Sequence, residues 1–178
     1  MKEIKKALKL LEKNGIHYII TGSLAIEKEY DGFIKERRPD GVKNLDIILN
    51  LYNFSKLLEL EEIENSEIFN IHDDSLNGLN LYHYPKTAEK LEELYFKFSI
   101  REINLSINVF LNSRVFKKIK KEGRNFLPTK EIIKMKRKIL KAYIHNLLIK
   151  EDVNAEKKII KHLEDIIYIS LAEKKNKR

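Results

Sequence analysis

Two short segments carry side chains that could do chemistry together. The first is Gly22-Ser23, which ends the strand-like run His17-Tyr18-Ile19-Ile20-Thr21. A glycine there lets another group approach the backbone closely. A helix beginning at that point presents unsatisfied N–H groups and a positive dipole end, which suits an anion such as a phosphate. Ser23 adds a hydroxyl donor. The second segment is Asn44-Leu45-Asp46, inside the strand-like run Lys43-Asn44-Leu45-Asp46-Ile47-Ile48-Leu49. On a strand, positions 44 and 46 share a face, so both side chains can reach one divalent cation. Taken singly, Gly-Ser also ends ordinary strands and caps helices, and Asn44 and Asp46 read as turn and strand-rim residues. The pair in this order points to phosphate and metal chemistry.

Other groups offer less. Asp40, Asp73 and Asp74 could add carboxylates, but their spacing does not require it. Glu27 and Glu29 read as solvent-facing residues of the helix after Ser23. The five histidines, His17, His72, His83, His145 and His162, show no ligand spacing. Ser23 lacks the Gly-x-Ser-x-Gly elbow of a hydrolytic nucleophile. With no cysteine in the chain, thiolate chemistry and disulfides are excluded.

These residues need elements to position them. Ile4, Ala7, Leu8 and Leu11 line one face of a helix over residues 3–13, which Asn14-Gly15 stops. A short strand is predicted over 16–21 and a helix from Ser23, its N-cap, to Tyr30. Residues 31–42, with Gly32, Arg37-Arg38, Pro39 and Gly41, read as a loop. A strand follows over 43–50, a helix over 51–60, and an acidic irregular stretch over 61–75. Leu79 to Tyr84 is a further run before Pro85, with a helical turn over 87–92. Residues 95–100 and 103–110 read as an antiparallel pair around Arg101-Glu102. In the second strand Ile103, Leu105, Ile107 and Val109 alternate with Asn104, Ser106 and Asn108. From Arg114 on the pattern is helical: 114–121, a long helix capped by Thr129 and reaching about 149, and 154–173 with Ile159, Ile160, Leu163, Ile166, Ile167 and Leu171 on one face. Asp165 is expected to pair with a basic neighbour within this tail. The order predicts an α+β fold with a mixed sheet flanked by helices and a C-terminal helical bundle. The expected division is an α/β core at 1–112 and a basic helical region at 113–178.

Charge follows the same division. The chain of 178 residues carries a formal +8, but residues 1–110 hold 15 Lys/Arg against 19 Asp/Glu, and residues 111–178 hold 20 against 8. An acidic front and a basic rear suggest a site in front and a polyanion-attracting surface, such as one for RNA, behind. The N-terminus shows no signal-peptide pattern and no run is apolar enough to span a bilayer, so a cytoplasmic protein with no membrane partner is expected.

The segments together resemble the nucleotidyltransferase superfamily, whose palm resembles that of DNA polymerase β. Ile19-Ile20-Thr21-Gly22-Ser23 matches its first motif. Asn44-Leu45-Asp46-Ile47 matches the second with the first Asp replaced, and Ile107-Asn108-Val109-Phe110 falls where the family places a third Asp. The long spacing to residue 44, with Arg37-Arg38 in the intervening loop, is similar to the abortive-infection type toxin branch. So are Pro128-Thr129-Lys130-Glu131-Ile132-Ile133 with Lys136, and Lys161-His162-Leu163-Glu164-Asp165. The resemblance implies that Gly22, Ser23, Arg38, Lys136 and Lys161 bind a nucleoside triphosphate such as ATP. It further implies that Asp46 holds Mg²⁺, with Asn44 and Asn108 at the other two catalytic positions. The implied activity is transfer of a nucleoside monophosphate to a hydroxyl on RNA or protein, with an antitoxin as a further partner. Two of three carboxylates are asparagines here, and Asn is a weaker ligand for a hard cation. The alternative is therefore a catalytically inactive module of the same fold that senses nucleotides or binds RNA.

Overall fold

The computed structural model describes residues 1–70, 94–101, 103–150 and 153–176. Over these residues it is an α+β structure with a five-stranded mixed sheet and seven helices. The strands are β1 (Ile19–Ile20), β2 (Asn44–Leu49), β3 (Ile63–Asn70), β4 (Leu94–Ile100) and β5 (Ile103–Leu111), in the spatial order β1-β2-β5-β4-β3. Among these strands only β2 and β5 pair in parallel, and Asp46 lies directly opposite Asn108 in their register. The helices are α1 (Lys2–Lys13), α2 (Gly22–Glu29), α3 (Phe33–Arg37), α4 (Leu51–Leu58), α5 (Ser113–Lys121), α6 (Thr129–Lys150) and α7 (Val153–Asn176).

Period-2 alternation decides what each sheet face meets. Leu45, Ile47 and Leu49 with Leu105, Ile107, Val109 and Leu111 point to one side, where Ile4, Ala7 and Leu11 of α1 and Phe54 and Leu57 of α4 cover them. The opposite face carries the residues between. Ile48 joins Ala25, Ile26, Phe33, Phe116, Ile119, Ile132 and Ile169 in a second apolar cluster. That cluster draws on α2, α3, α5, α6 and α7. Asn44, Asp46, Ser106 and Asn108 continue the same face as a polar row.

The expected strand over 16–21 contracts to Ile19–Ile20, whose other edge bridges to Phe126: the Ile20 N–H donates to the Asn125 carbonyl and its carbonyl accepts from Leu127, each at 2.8 Å. Residues 31–42 are not all loop. Phe33 is fully buried, and the Glu27 carboxylate accepts the N–H groups of Gly32 and Ile34 at 3.1 and 2.6 Å, which builds α3. Glu29 likewise accepts the Thr129 N–H at 3.1 Å, so neither glutamate is a bystander. Thr129 is the first residue of α6 rather than its side-chain cap. Ser23 is not a cap either: Thr21 holds that position and the helix begins at Gly22. The acidic stretch after residue 61 forms β3, paired with β4. The expected run over 79–84, the turn over 87–92, His72, His83, Asp73 and Asp74 lie outside the described residues.

The largest correction falls on α7. Ile160, Leu163, Ile167 and Leu171, expected to face inward, are 42–57% exposed, whereas Asp165 and Ile169 are fully buried. The inward face is chosen by charge: Asp165 meets buried cations that no apolar residue could compensate.

Candidate functional site

Asp46 and Asn108 form the centre. The parallel register sets them side by side, and Asn108 Nδ2 donates to Asp46 Oδ1 at 2.7 Å. A carboxylate only accepts, so the amide must turn its nitrogen towards it. That leaves Asn108 Oδ1 buried with no hydrogen-bond partner among the described residues. Gly22 closes in from α2 with φ +63°. A Cβ at this position would lie 2.1 Å from Asp46 Oδ2 and 3.0 Å from its Cγ. Both the backbone conformation and the approach of the carboxylate therefore require glycine. The Thr21 N–H donates to the Asp46 carbonyl at 2.9 Å, which fastens the start of α2 to β2. The first turn of α2 holds no acidic side chain to occupy its N–H groups.

A second cluster sits above. Asp165, on α7, accepts from Arg38 at 2.6 Å and from Lys136 Nζ at 2.8 Å through the same oxygen, Oδ2. Arg37 Nε lies 3.7 Å from Oδ1, and its guanidinium also pairs with Glu164. Arg38 is steadied further by Phe33, whose ring centroid lies 5.5 Å from the guanidinium carbon. His162 Nδ1 stands 3.4 Å from Lys136 Nζ. Thus Asp165 joins α6, α7 and the segment between α3 and β2.

Electrostatics link the two clusters. Burial pushes the Asp46 carboxyl above the usual carboxylate range, against the Asn108 hydrogen bond and the Lys136, Lys161 and Arg38 cations, which pull it down. Burial also opposes ionisation of Asp165, yet Lys136 and Arg38 more than offset it and hold that carboxyl below its ordinary range. Lys161 is exposed over much of its length, but desolvation of its ammonium and the nearby Arg38 and Lys136 lower its pKa. His162 is lowered to about 4 by burial and by Lys136, so it is neutral at pH 7. Three cations that crowd one another face two carboxylates, an environment that favours an incoming anion.

The predicted residues Gly22, Asp46, Asn44, Asn108, Arg38, Lys136 and Lys161 thus converge on one side of the sheet. Ser23 occupies the second position of α2 beside Gly22. Asn44 shares the face of Asp46 opposite Ser106. Asp40 is exposed on the segment before β2, so it supplies no replacement carboxylate. Arg38 and Lys136 are held by Asp165 as well as facing the site. Asp165 was expected to find its partner within the tail. Lys136 meets that expectation, but Arg38 comes from the front of the chain. An Asp at helical spacing with Ile169 on an inward stripe was the signal for its central place.

The donor set fits one divalent cation. Asp46 offers one charged carboxylate, and the orphaned Asn108 Oδ1 offers a neutral carbonyl beside it. Mg²⁺ keeps several waters and accepts one or two carboxylates in such sites. Among the described residues no group of three or more His, Cys, Asp or Glu side chains is placed to hold a metal ion. No described helix is long and apolar enough to cross a membrane. No protein-family model, curated protein sequence or solved structure matches this chain.

Proposed function

We propose that this chain is a nucleotidyltransferase-like protein that binds a nucleoside triphosphate with one Mg²⁺ and transfers the nucleoside monophosphate to a hydroxyl on RNA or protein, breaking the α–β phosphoanhydride bond and releasing pyrophosphate and the hydroxyl proton. The observation that carries this reading is the meeting of Gly22, Asp46 and Asn108 beneath the Arg38, Lys136 and Lys161 cations. The start of α2 and Ser23 would bind phosphate oxygens through N–H and hydroxyl donors, and Lys136 and Lys161 would neutralise their charge. Asp46 would hold the metal, with Asn108 and Asn44 contributing carbonyl oxygens. When bound, Mg²⁺ supplies polarisation of the reacting phosphoryl group. Asp165 would keep Arg38 and Lys136 aimed at the phosphates and fixed before substrate arrives.

A second reading, binding without transfer, is favoured by Asn108, which occupies one oxygen of Asp46, the only carboxylate at the centre among the described residues. Incubation with each α-labelled NTP, Mg²⁺ and bulk tRNA separates the two. The transfer reading expects label on the RNA or the protein, lost in Asp46→Ala. If label appears on neither while NTP·Mg²⁺ still raises Tm, the module binds only. Asn44→Asp with Asn108→Asp then creates activity if the scaffold is a disabled enzyme. If NTP gives neither label nor a Tm shift, both readings fall.

A further inference from the structure

We infer that the outward faces of α5 and α6 form a binding surface for the phosphodiester backbone of a double-helical nucleic acid, separate from the nucleotide site. These helices contain twelve Lys/Arg and one acidic residue, Glu131. On α6, Lys130, Lys134, Arg137 and Lys141 recur at intervals of four, three and four residues, so they form one stripe, and all are exposed. At 1.5 Å of rise per residue their steps are about 5–6 Å and the stripe is roughly 16 Å long. Glu131 lies 3.6 Å from Lys118 of α5 and 3.3 Å from Lys134, which brings the α5 cations alongside the stripe.

The other side of α6 shows why this is not the nucleotide site. Ile132 is buried in the second apolar cluster and Lys136 turns inward to Asp165, so the thickness of the helix separates the stripe from Asp46. The chemistry of the surface selects the partner. It has charge without apolar anchors: of the described side chains on these helices, Ile144 is the one large exposed hydrophobe. Protein interfaces need buried anchors and are poor in Lys. An amphipathic membrane helix needs a free apolar face, whereas Ile132, Ile133 and Met135 of α6 pack on the second apolar cluster. Stacking on single strands needs exposed aromatics, and none is exposed among the described side chains of these helices. Evenly spaced cations alone match a duplex backbone, read without base contacts.

The test needs no nucleotide and so is independent of the proposed transfer activity. Fluorescence anisotropy with 20-base-pair RNA and DNA duplexes, from 50 to 200 mM salt, gives the slope of log K against log salt. Four phosphate contacts predict a slope of about −3.6, a loss of about 150-fold over that range. Charge reversal of the stripe (Lys130, Lys134, Arg137 and Lys141 each to Glu) should abolish this slope. Reversal of Lys2, Lys5, Lys9 and Lys13 on α1, with the same change in net charge, should cost at least tenfold less affinity. The RNA and DNA arms show whether the shared backbone suffices or one helical form is required. If the Glu variant fails to fold, the four-Gln variant, which removes the charge without repulsion, takes its place with the same expectation. The inference is overturned if the wild type binds neither duplex at 50 mM salt or if both reversals weaken binding equally. It is also overturned if the stripe variant loses binding to anionic vesicles but not to duplex.

Discussion

At Asp46, function and stability pull in opposite directions. Its carboxyl titrates above its unfolded value because of burial, so ionisation disfavours the folded state at neutral pH. Asp46→Asn should therefore raise Tm while removing the NTP·Mg²⁺-dependent stabilisation, read in one thermal-shift series. A fall in Tm without ligand would show that the nearby cations depend on this charge. Gly22 provides a sharper steric test. Gly22→Ala meets both a positive φ and a carboxylate oxygen 2.1 Å away, whereas Gly41→Ala meets a positive φ with nothing within 4 Å. Backbone strain costs about 1–2 kcal/mol at either position. The excess destabilisation at Gly22 over Gly41, measured by urea unfolding, reports the close packing beneath the site.

Among the elements, α7 decides most. Asp165 is a buried charge with three basic neighbours, and removing its charge leaves Arg38 and Lys136 uncompensated. Asp165→Asn should cost about 3–5 kcal/mol, the usual effect of breaking a buried pair from one side. His162 gives α7 a pH dependence of definite sign. Its folded pKa of about 4 lies below the unfolded value of 6.5. The unfolded chain takes up the proton first, so stability is present above pH 6.5 and is lost as pH falls towards 4. Each pH unit in that window costs about 1.4 kcal/mol for this one group. Urea midpoints at pH 7.5 and 5.0 should converge in His162→Gln relative to the wild type. An unchanged difference would assign the acid sensitivity elsewhere. Asp165 contributes its own loss at lower pH, as acid protonates a carboxyl held below its ordinary range.

Over the whole molecule, the basic helices share a core with the sheet. Phe33 of α3 meets Tyr168 of α7 edge-on with ring centroids 5.3 Å apart, and Ile169 is fully buried in the same cluster as Ile19 and Ile48. Ile169→Ala should cost about 2–4 kcal/mol, comparable to a substitution under the centre of a sheet. At about 2–4 °C per kcal/mol for a chain of this size, the change is readable as a Tm shift. If Tm is unchanged, α7 docks without contributing to the core.

What local sequence could determine was the alternation of β2 and β5, which assigns Asn44, Asp46, Ser106 and Asn108 to one face before any partner is known. Period 2 is a property of the strand itself. The stop at Gly15, the α+β order and the charge of the tail were legible for the same local reason. Residues 33–37 were not, because α3 depends on a carboxylate at Glu27 and on burial of Phe33. The inward face of α7 was not legible either. Hydrophobic periodicity pointed to Ile160, Leu163 and Ile167, whereas the long-range pairing of Asp165 with Arg38 and Lys136 turned the helix the other way. Only the tertiary structure could settle that orientation, since a buried carboxylate takes its energy from cations more than twenty residues distant in the chain.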